Sequence, residues 1–541
     1  MRLVLAAIAA LTLASCTPQS GNAPRGYDVA EKSISQLQAD MTSGAVTAEA
    51  LTQAYLDRIA AMDASGPGIN SVIALNPHAL EQARALDAER RAGHVRGPLH
   101  GIPVLIKDNI ETADNPTTAG SLALAQNNTG RDAPIVARLR AAGAIILGKT
   151  NLSEWANIRS TASVSGWSAV GGLTHNPYAL DRNACGSSSG SGAAAAASLA
   201  AITIGTETDG SVVCPSAING LVGIKPTVGL VSRTYVVPIS HSQDTPGPMG
   251  RSVTDVATVL NAIAGSDPAD AATREADAHR ADYVAALNAH ALQGKRIGVL
   301  RFMAGFQHAT DERFDEAIAQ LHAAGAEVVE ITTAPSTMAQ INTDELVVLL
   351  AELKSDMNTY LATTPPAVTS RSLEALIAFN GATPAETVFF GQELFEQAQA
   401  TQGVTDPNYV RVHDRVRRAA QQAIDTLMRT NHVDALVAPT LGPSWTTDVV
   451  NGDHFMGGAA STLPAVAGYP HVTVPMGLVH GLPVGLSIFA EAWSEAKLLS
   501  FAYAYEQQSH ARVAPTYAAH IEANEPLAAA LRHAPAPSPA H

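Results

Sequence analysis

Arg296-Ile297-Gly298-Val299-Leu300, an interval in which Phe314, Ile318 and Leu321 share one helical face, then Gly325 and Ala326-Glu327-Val328-Val329-Glu330-Ile331: this stretch decides the fold class. Short β-branched runs on either side of an amphipathic segment read as strand, helix, strand, with Gly325 ending the helix. The same rhythm occurs upstream. Pro103-Val104-Leu105-Ile106 is a buried strand running into Asp108-Asn109, residues 136–142 are helical up to Gly143, and residues 144–147 form the next strand. Residues 193–201 are nearly all small, which predicts a central helix packed closely on its neighbours. Two helices are expected between Ser35 and Met62, the second capped by Thr47, and residues 332–430 read as mostly helical. Short apolar runs return over residues 435–488, separated by Pro439, Gly468, Pro475 and Gly481. Alternation of this kind gives an α/β layer fold, and no internal repeat divides it.

The proportions agree with a large globular chain. Of 541 residues 46% are hydrophobic and 15% charged, which excludes disordered, coiled-coil and disulfide-dense classes. With 34 basic against 49 acidic residues the net charge is −15, so no nucleic-acid partner is expected. The 18 histidines show no metal-binding spacing and Cys185 and Cys214 cannot make a Cys-rich zinc site, so neither a metal nor a cofactor is implied. Those two cysteines leave a disulfide and a pair of buried thiols equally open.

The first residues point to export. Met1-Arg2 precedes a short apolar run that ends in Leu13-Ala14-Ser15-Cys16, too short for a permanent membrane helix. The end of the run resembles a bacterial lipobox. It gives residues 1–15 as a signal peptide, Cys16 as the lipidated residue, residues 16–30 as a flexible tether and the periplasmic face of the outer membrane as the location. The main domain then covers residues 31–515, and the Pro-rich segment 516–541 is expected to be a disordered tail.

Three motifs mislead. Gly143-Ala144-Ile145-Ile146-Leu147-Gly148-Lys149-Thr150 spells a phosphate-binding loop, yet its interior is itself the buried strand. Gly190-x-Gly192-x-x-Ala195 imitates a dinucleotide fingerprint without the strand that must precede it. Gly186-Ser187-Ser188-Ser189-Gly190 matches the nucleophile elbow of α/β-hydrolases and lacks its strand too.

Three segments together contain what acyl transfer requires. A lysine at the end of an apolar strand, Lys107, is poorly solvated and can serve as a base; holding it neutral near pH 7 costs roughly 4 kcal/mol. Ser187-Ser188-Ser189-Gly190-Ser191 offers hydroxyls. In Gly205-Thr206-Glu207-Thr208-Asp209-Gly210-Ser211 the two glycines allow a tight turn whose backbone N–H groups converge on one spot, with Ser211 beside them.

These segments, with His100-Gly101-Ile102-Pro103, Gly148-Lys149-Thr150-Asn151-Leu152-Ser153-Glu154, Gly223-Ile224-Lys225-Pro226-Thr227 and Gly481-Leu482-Pro483-Val484-Gly485-Leu486, resemble the amidase signature family of Ser-Ser-Lys hydrolases over roughly residues 30–515. Within that family the chain is most similar to the bacterial peptide amidases, through Glu207-Thr208-Asp209-Gly210-Ser211, the block from Pro238 to Met249, Phe390-Gly391-Gln392-Glu393-Leu394 and Ala467-Gly468-Tyr469-Pro470. The resemblance implies one large domain with a twisted, mixed, mainly parallel sheet covered by helices on both faces. It implies Ser211 as nucleophile, Ser187 as proton relay behind a cis Gly186–Ser187 bond, neutral Lys107 as base, and the backbone N–H groups of Thr208, Asp209, Gly210 and Ser211 as oxyanion donors. The reaction it implies is release of ammonia from an amide, above all the C-terminal amide of a peptide, with water as second substrate. Asp209 fits the peptide amidase branch, whereas Val213 stands where the wider family often has an anchoring Arg. Two other readings remain: an acylamide hydrolase of the same family with a non-peptide substrate, and an exported oligopeptide-binding lipoprotein, which has no use for this lysine and these serines. Glutamine-dependent amidotransfer needs cytoplasmic tRNA and does not fit an export signal.

Overall fold

A computed structural model describes residues 26–523 and 527–532. Its strands are β1 (Val72–Leu75), β2 (Pro103–Lys107), β3 (Ile145–Thr150), a small ribbon of β4 (Trp167–Ser168) and β5 (Gly172–Leu173), then β6 (Ile202–Glu207), β7 (Val222–Lys225), β8 (Thr245–Gly250), β9 (Arg296–Leu300), β10 (Glu327–Ile331), β11 (Ala435–Pro439), β12 (His471–Val479) and β13 (Leu482–Phe489). Eleven of them form one sheet in the order β1-β3-β2-β6-β8-β7-β12-β13-β11-β9-β10.

The decisive stretch folds as read: β9 and β10 pair in parallel through the helix His308–Ala323, whose Phe314 and Leu321 are buried. The sheet is mixed, as expected, but its balance differs from a mainly parallel one. Parallel pairs are confined to two wings, β3-β2-β6 and β11-β9-β10, and six of the ten pairings are antiparallel. Connection length is one cause. Only His480 and Gly481, both with positive φ (50° and 87°), separate β12 from β13, and a two-residue turn of that hand can only make a hairpin.

Alternation along β6 places helices on both faces. Thr203 Oγ1 donates to the carbonyl of Ser191 on the helix Ser189–Ala196, while Ile202 points the other way, towards Gly250 and Val256 of the helix Val253–Ile263. One hydrophobic core runs from Val29 to Tyr505 through the whole sheet.

Three expectations need correction. The all-small helix is Ser189–Ala196 and not 193–201; Ser198 takes φ +56° and the chain reverses so that β6 can start at Ile202. Of the expected tether, residues 26–30 pack on the body: Tyr27 donates to Asp40 and Val29 is buried. The signal peptide 1–15, Cys16 and the tether up to residue 25 lie outside the described residues. Of the expected disordered tail, the Tyr517 N–H donates to Pro177, Ala518 bridges Ala179, Ile521 is buried, and Leu527–Leu531 is a helix. No described helix is long and apolar enough to cross a membrane.

Candidate active site

Strand β2 carries Lys107 at its end, between β3 and β6, so that its side chain leaves the sheet fully buried. Its Nζ donates to Ser187 Oγ (2.7 Å), to Thr206 Oγ1 (2.9 Å) and to the Thr206 carbonyl (3.2 Å). Burial lowers the ammonium pKa to about 7, against the opposing pull of Asp244 and Glu207. Among the described residues no carboxylate pairs with it, which suits an amine that is neutral at moderate pH; once neutral, the amine donates to the two Thr206 oxygens and accepts from the Ser187 hydroxyl. Lys149, one strand over, is the contrast: it is equally buried but pairs with Asp108 at 2.8 Å, which accounts for it as a structural cation and disposes of the phosphate-loop spelling.

Ser187 is fully buried and follows a cis Gly186–Ser187 bond. Its neighbour Ser188 turns elsewhere, donating to the Thr206 carbonyl (3.1 Å) and accepting from the Thr206 N–H (3.2 Å), so the elbow serine is a brace for β6. The helix that follows lies too close to its surroundings for larger residues: a Cβ on Gly190 would stand 2.4 Å from the carbonyl oxygens of Asn151 and Ser71.

Gly205 belongs to β6, so the turn expected to begin there is shorter and spans residues 208–211. Gly210 sets its shape with φ +78°. Among the described residues, the N–H groups of Thr208, Asp209, Gly210 and Ser211 donate to no backbone carbonyl in this loop. The helix Val213–Ile218 follows, its first amides held by Glu207 Oε2 (2.8 Å to Val212 N, 3.0 Å to Val213 N). The two serine segments meet, since the Ser188 N–H donates to the Ser211 carbonyl at 3.2 Å. Cys185 and Cys214 are joined in a disulfide that ties them a second time, which decides between the two readings of that pair.

A cavity of about 550 Å³ opens on Gly210, Ser211 and the disulfide, with Ile239, Leu349 and Phe455 on other sides. Ser211 lines it; Lys107 and Ser187 do not and sit behind its wall. Among the described residues no Lys, Arg or His side chain lines this cavity, and Val213 does line it. A larger cavity, of about 680 Å³ around Trp445 and Asp448, contains none of the three.

Several residues of the site escaped the sequence reading. Thr206 and Asn109 complete the lysine's surroundings, with Asn109 Nδ2 donating to Thr206 Oγ1 (2.9 Å). Asp244, pushed up to about 6 by burial, accepts from Thr208 Oγ1 (2.6 Å) and holds the turn from below. Asn109 lies two residues beyond Lys107 and Asp244 inside the block Pro238 to Met249, so proximity in sequence was the available signal.

The chain is similar to known amidases in sequence and in fold. A native peptide amidase from Stenotrophomonas maltophilia superposes with a TM-score of 0.85 at 50% identity, covering 90% of this chain and 99% of that one. A probable amidase from Arabidopsis thaliana is 37% identical over 504 residues, 91% of this chain and 93% of the relative. A putative amidase from Arthroderma benhamiae is 38% identical over 510 residues, covering 88% and 81%. A family model described as Amidase matches residues 50–499. Lysine, serines and turn thus stand within the stretch that this family model matches, and the chain belongs to the amidase signature family, whose members hydrolyse amides.

Proposed function

We propose that the protein hydrolyses the C-terminal carboxamide of peptides, and that Ser211, Ser187 and Lys107 carry the reaction. The observation that carries this reading is the 2.7 Å contact between a buried, easily neutralised Lys107 and Ser187, directly behind a cavity that Ser211 lines. Ser211 Oγ attacks the carboxamide carbon as its proton passes to Ser187 and the Ser187 proton to Lys107. The oxyanion lies against the N–H groups of residues 208–211. The same relay, reversed, protonates the leaving nitrogen; ammonia departs and an ester on Ser211 remains. Water then attacks this ester, giving the peptide acid and restoring Ser211.

Two features favour a neutral peptide amide over free glutamine or another acid. Among the described residues the cavity offers no cation to a carboxylate, and its walls include Ile239, Leu349, Leu441 and Phe455. The likeness to a peptide amidase points the same way. We also infer export with a lipid on Cys16, on the sequence Leu13-Ala14-Ser15-Cys16. The test of substrate class is ammonia release from an N-acylated dipeptide amide beside free glutamine. Turnover of the amide alone is expected; turnover of glutamine alone would reject the reading.

A further inference from the structure

We propose that Glu345 is a positioning residue for this hydrolysis: acting through Gln243 and Asp209, it holds residues 208–211 in the shape that receives the oxyanion. The inference rests on the functional reading above.

Glu345 and Glu352 lie on the helix Met338–Ala362, seven residues and so about two turns apart, on one face. Both are buried, an expensive place for a carboxyl unless it has work to do there. Glu352 clamps the segment 240–244. It accepts from Ser240 Oγ, from Ser242 N (3.1 Å) and Oγ (2.6 Å), and from Tyr409 Oη (2.8 Å). Glu345 reaches the other end of that segment, where Gln243 Nε2 donates to Glu345 Oε1 (2.8 Å) and to the Thr208 carbonyl (3.3 Å). The next residue, Asp244, holds the Thr208 side chain and accepts from the N–H groups of Ile239 (2.8 Å) and Ser240 (2.9 Å). The helix therefore grips, through five residues, the first residue of the turn.

Asp209 supplies the second link. Its Oδ2 accepts from Thr462 Oγ1 (2.8 Å), but among the described residues its buried Oδ1 has no hydrogen-bond partner. Burial, reinforced by the neighbouring Asp209, holds the Glu345 carboxyl well above the usual range. Asp209 Oδ1 is an open acceptor beside the Glu345 carboxyl, and the mechanism uses neither carboxyl.

The test compares kcat and KM on a peptide amide for the wild type and four variants. Glu345→Ala is expected to lower kcat by about tenfold or more with little change in KM, because oxyanion donors act in the transition state. Glu345→Gln keeps an acceptor for Gln243 and a donor for Asp209, and is expected to recover most of kcat. Gln243→Ala should resemble Glu345→Ala and carries the test if that variant does not fold. Asp344→Ala breaks the Arg415 pair on the same turn of helix and is the control for simple destabilisation, with kcat unchanged. Unchanged kcat in folded Glu345→Ala, a rise in KM alone, or Glu345→Gln as poor as Glu345→Ala would overturn the proposal. A folded wild type inert towards peptide amides would instead count against the functional reading itself.

Discussion

Replacing Lys107 by Met keeps the length of the side chain at the end of β2 and removes its charge, which separates two consequences of burying a base. The ordinary lysine value of 10.5 falls to about 7 in the folded protein. Between those values the unfolded chain binds one more proton than the folded one at this site, so wild-type stability rises with pH, by about 1.4 kcal/mol per pH unit. Below about pH 7 the full cost is present, roughly 5 kcal/mol. Met carries no such cost but forfeits the bonds to Ser187 and Thr206, worth about 1 kcal/mol each and independent of pH. Lys107→Met is therefore expected to be more stable than wild type by a few kcal/mol near pH 7. That advantage should shrink by about 1.4 kcal/mol for each unit up to about pH 9. Urea unfolding of both proteins across that range measures it, since all other titrations are common to the pair. A difference that stays flat with pH would refute the reasoning, because it would mean that Lys107 is an ordinary buried cation. On the rate side, wild-type kcat/KM should fall as pH drops through about 7, and Lys107→Arg should not restore activity, since guanidinium stays protonated.

Ser187→Ala should lose about 10²-fold or more in kcat, because the lysine's contact is with that hydroxyl, whereas Ser188→Ala should lose stability and keep most activity. The opposite pattern in the two purified variants would favour the elbow serine. Reducing Cys185–Cys214, or replacing both by Ser, opens a loop with a sequence separation of 29 and should cost about 3 kcal/mol, read as a lower thermal midpoint. Cys16→Ser should abolish incorporation of labelled palmitate and release the protein from the membrane fraction; a wild type that is never labelled would count against the lipid anchor.

Legibility in the sequence followed the range of the interactions. Arg296 to Ile331 could be read because a strand, a helix face and a stop signal are each local patterns, and Lys107 because Pro103 to Ile106 already fixes a buried strand end. Strand order was beyond reach: β8 enters between β6 and β7, and no periodicity records which neighbour a strand selects. Gly481 was legible as a separator but the hairpin was not, since a left-handed residue such as His480 is unusual and becomes evident only in the backbone. The pairing of Lys107 with Ser187 was reached only through family resemblance, because the two are separated by 80 residues and meet only across the sheet. Glu345 carried no signal at all, since an acidic residue in a helix reads as solvated until the structure buries it, and Gln243 was visible only as part of the block Pro238 to Met249, without a role.

The most direct measurement is mass spectrometry of one amidated peptide after incubation with wild type and with Ser211→Ala. Wild type should convert the terminal carboxamide to a carboxylate, with release of ammonia and every internal peptide bond intact. A well-folded Ser211→Ala protein should leave the peptide unchanged. Cleavage at internal bonds, an untouched amide with active-site residues intact, or equal turnover by Ser211→Ala would contradict the assignment of a peptide-amide hydrolase built on Ser211.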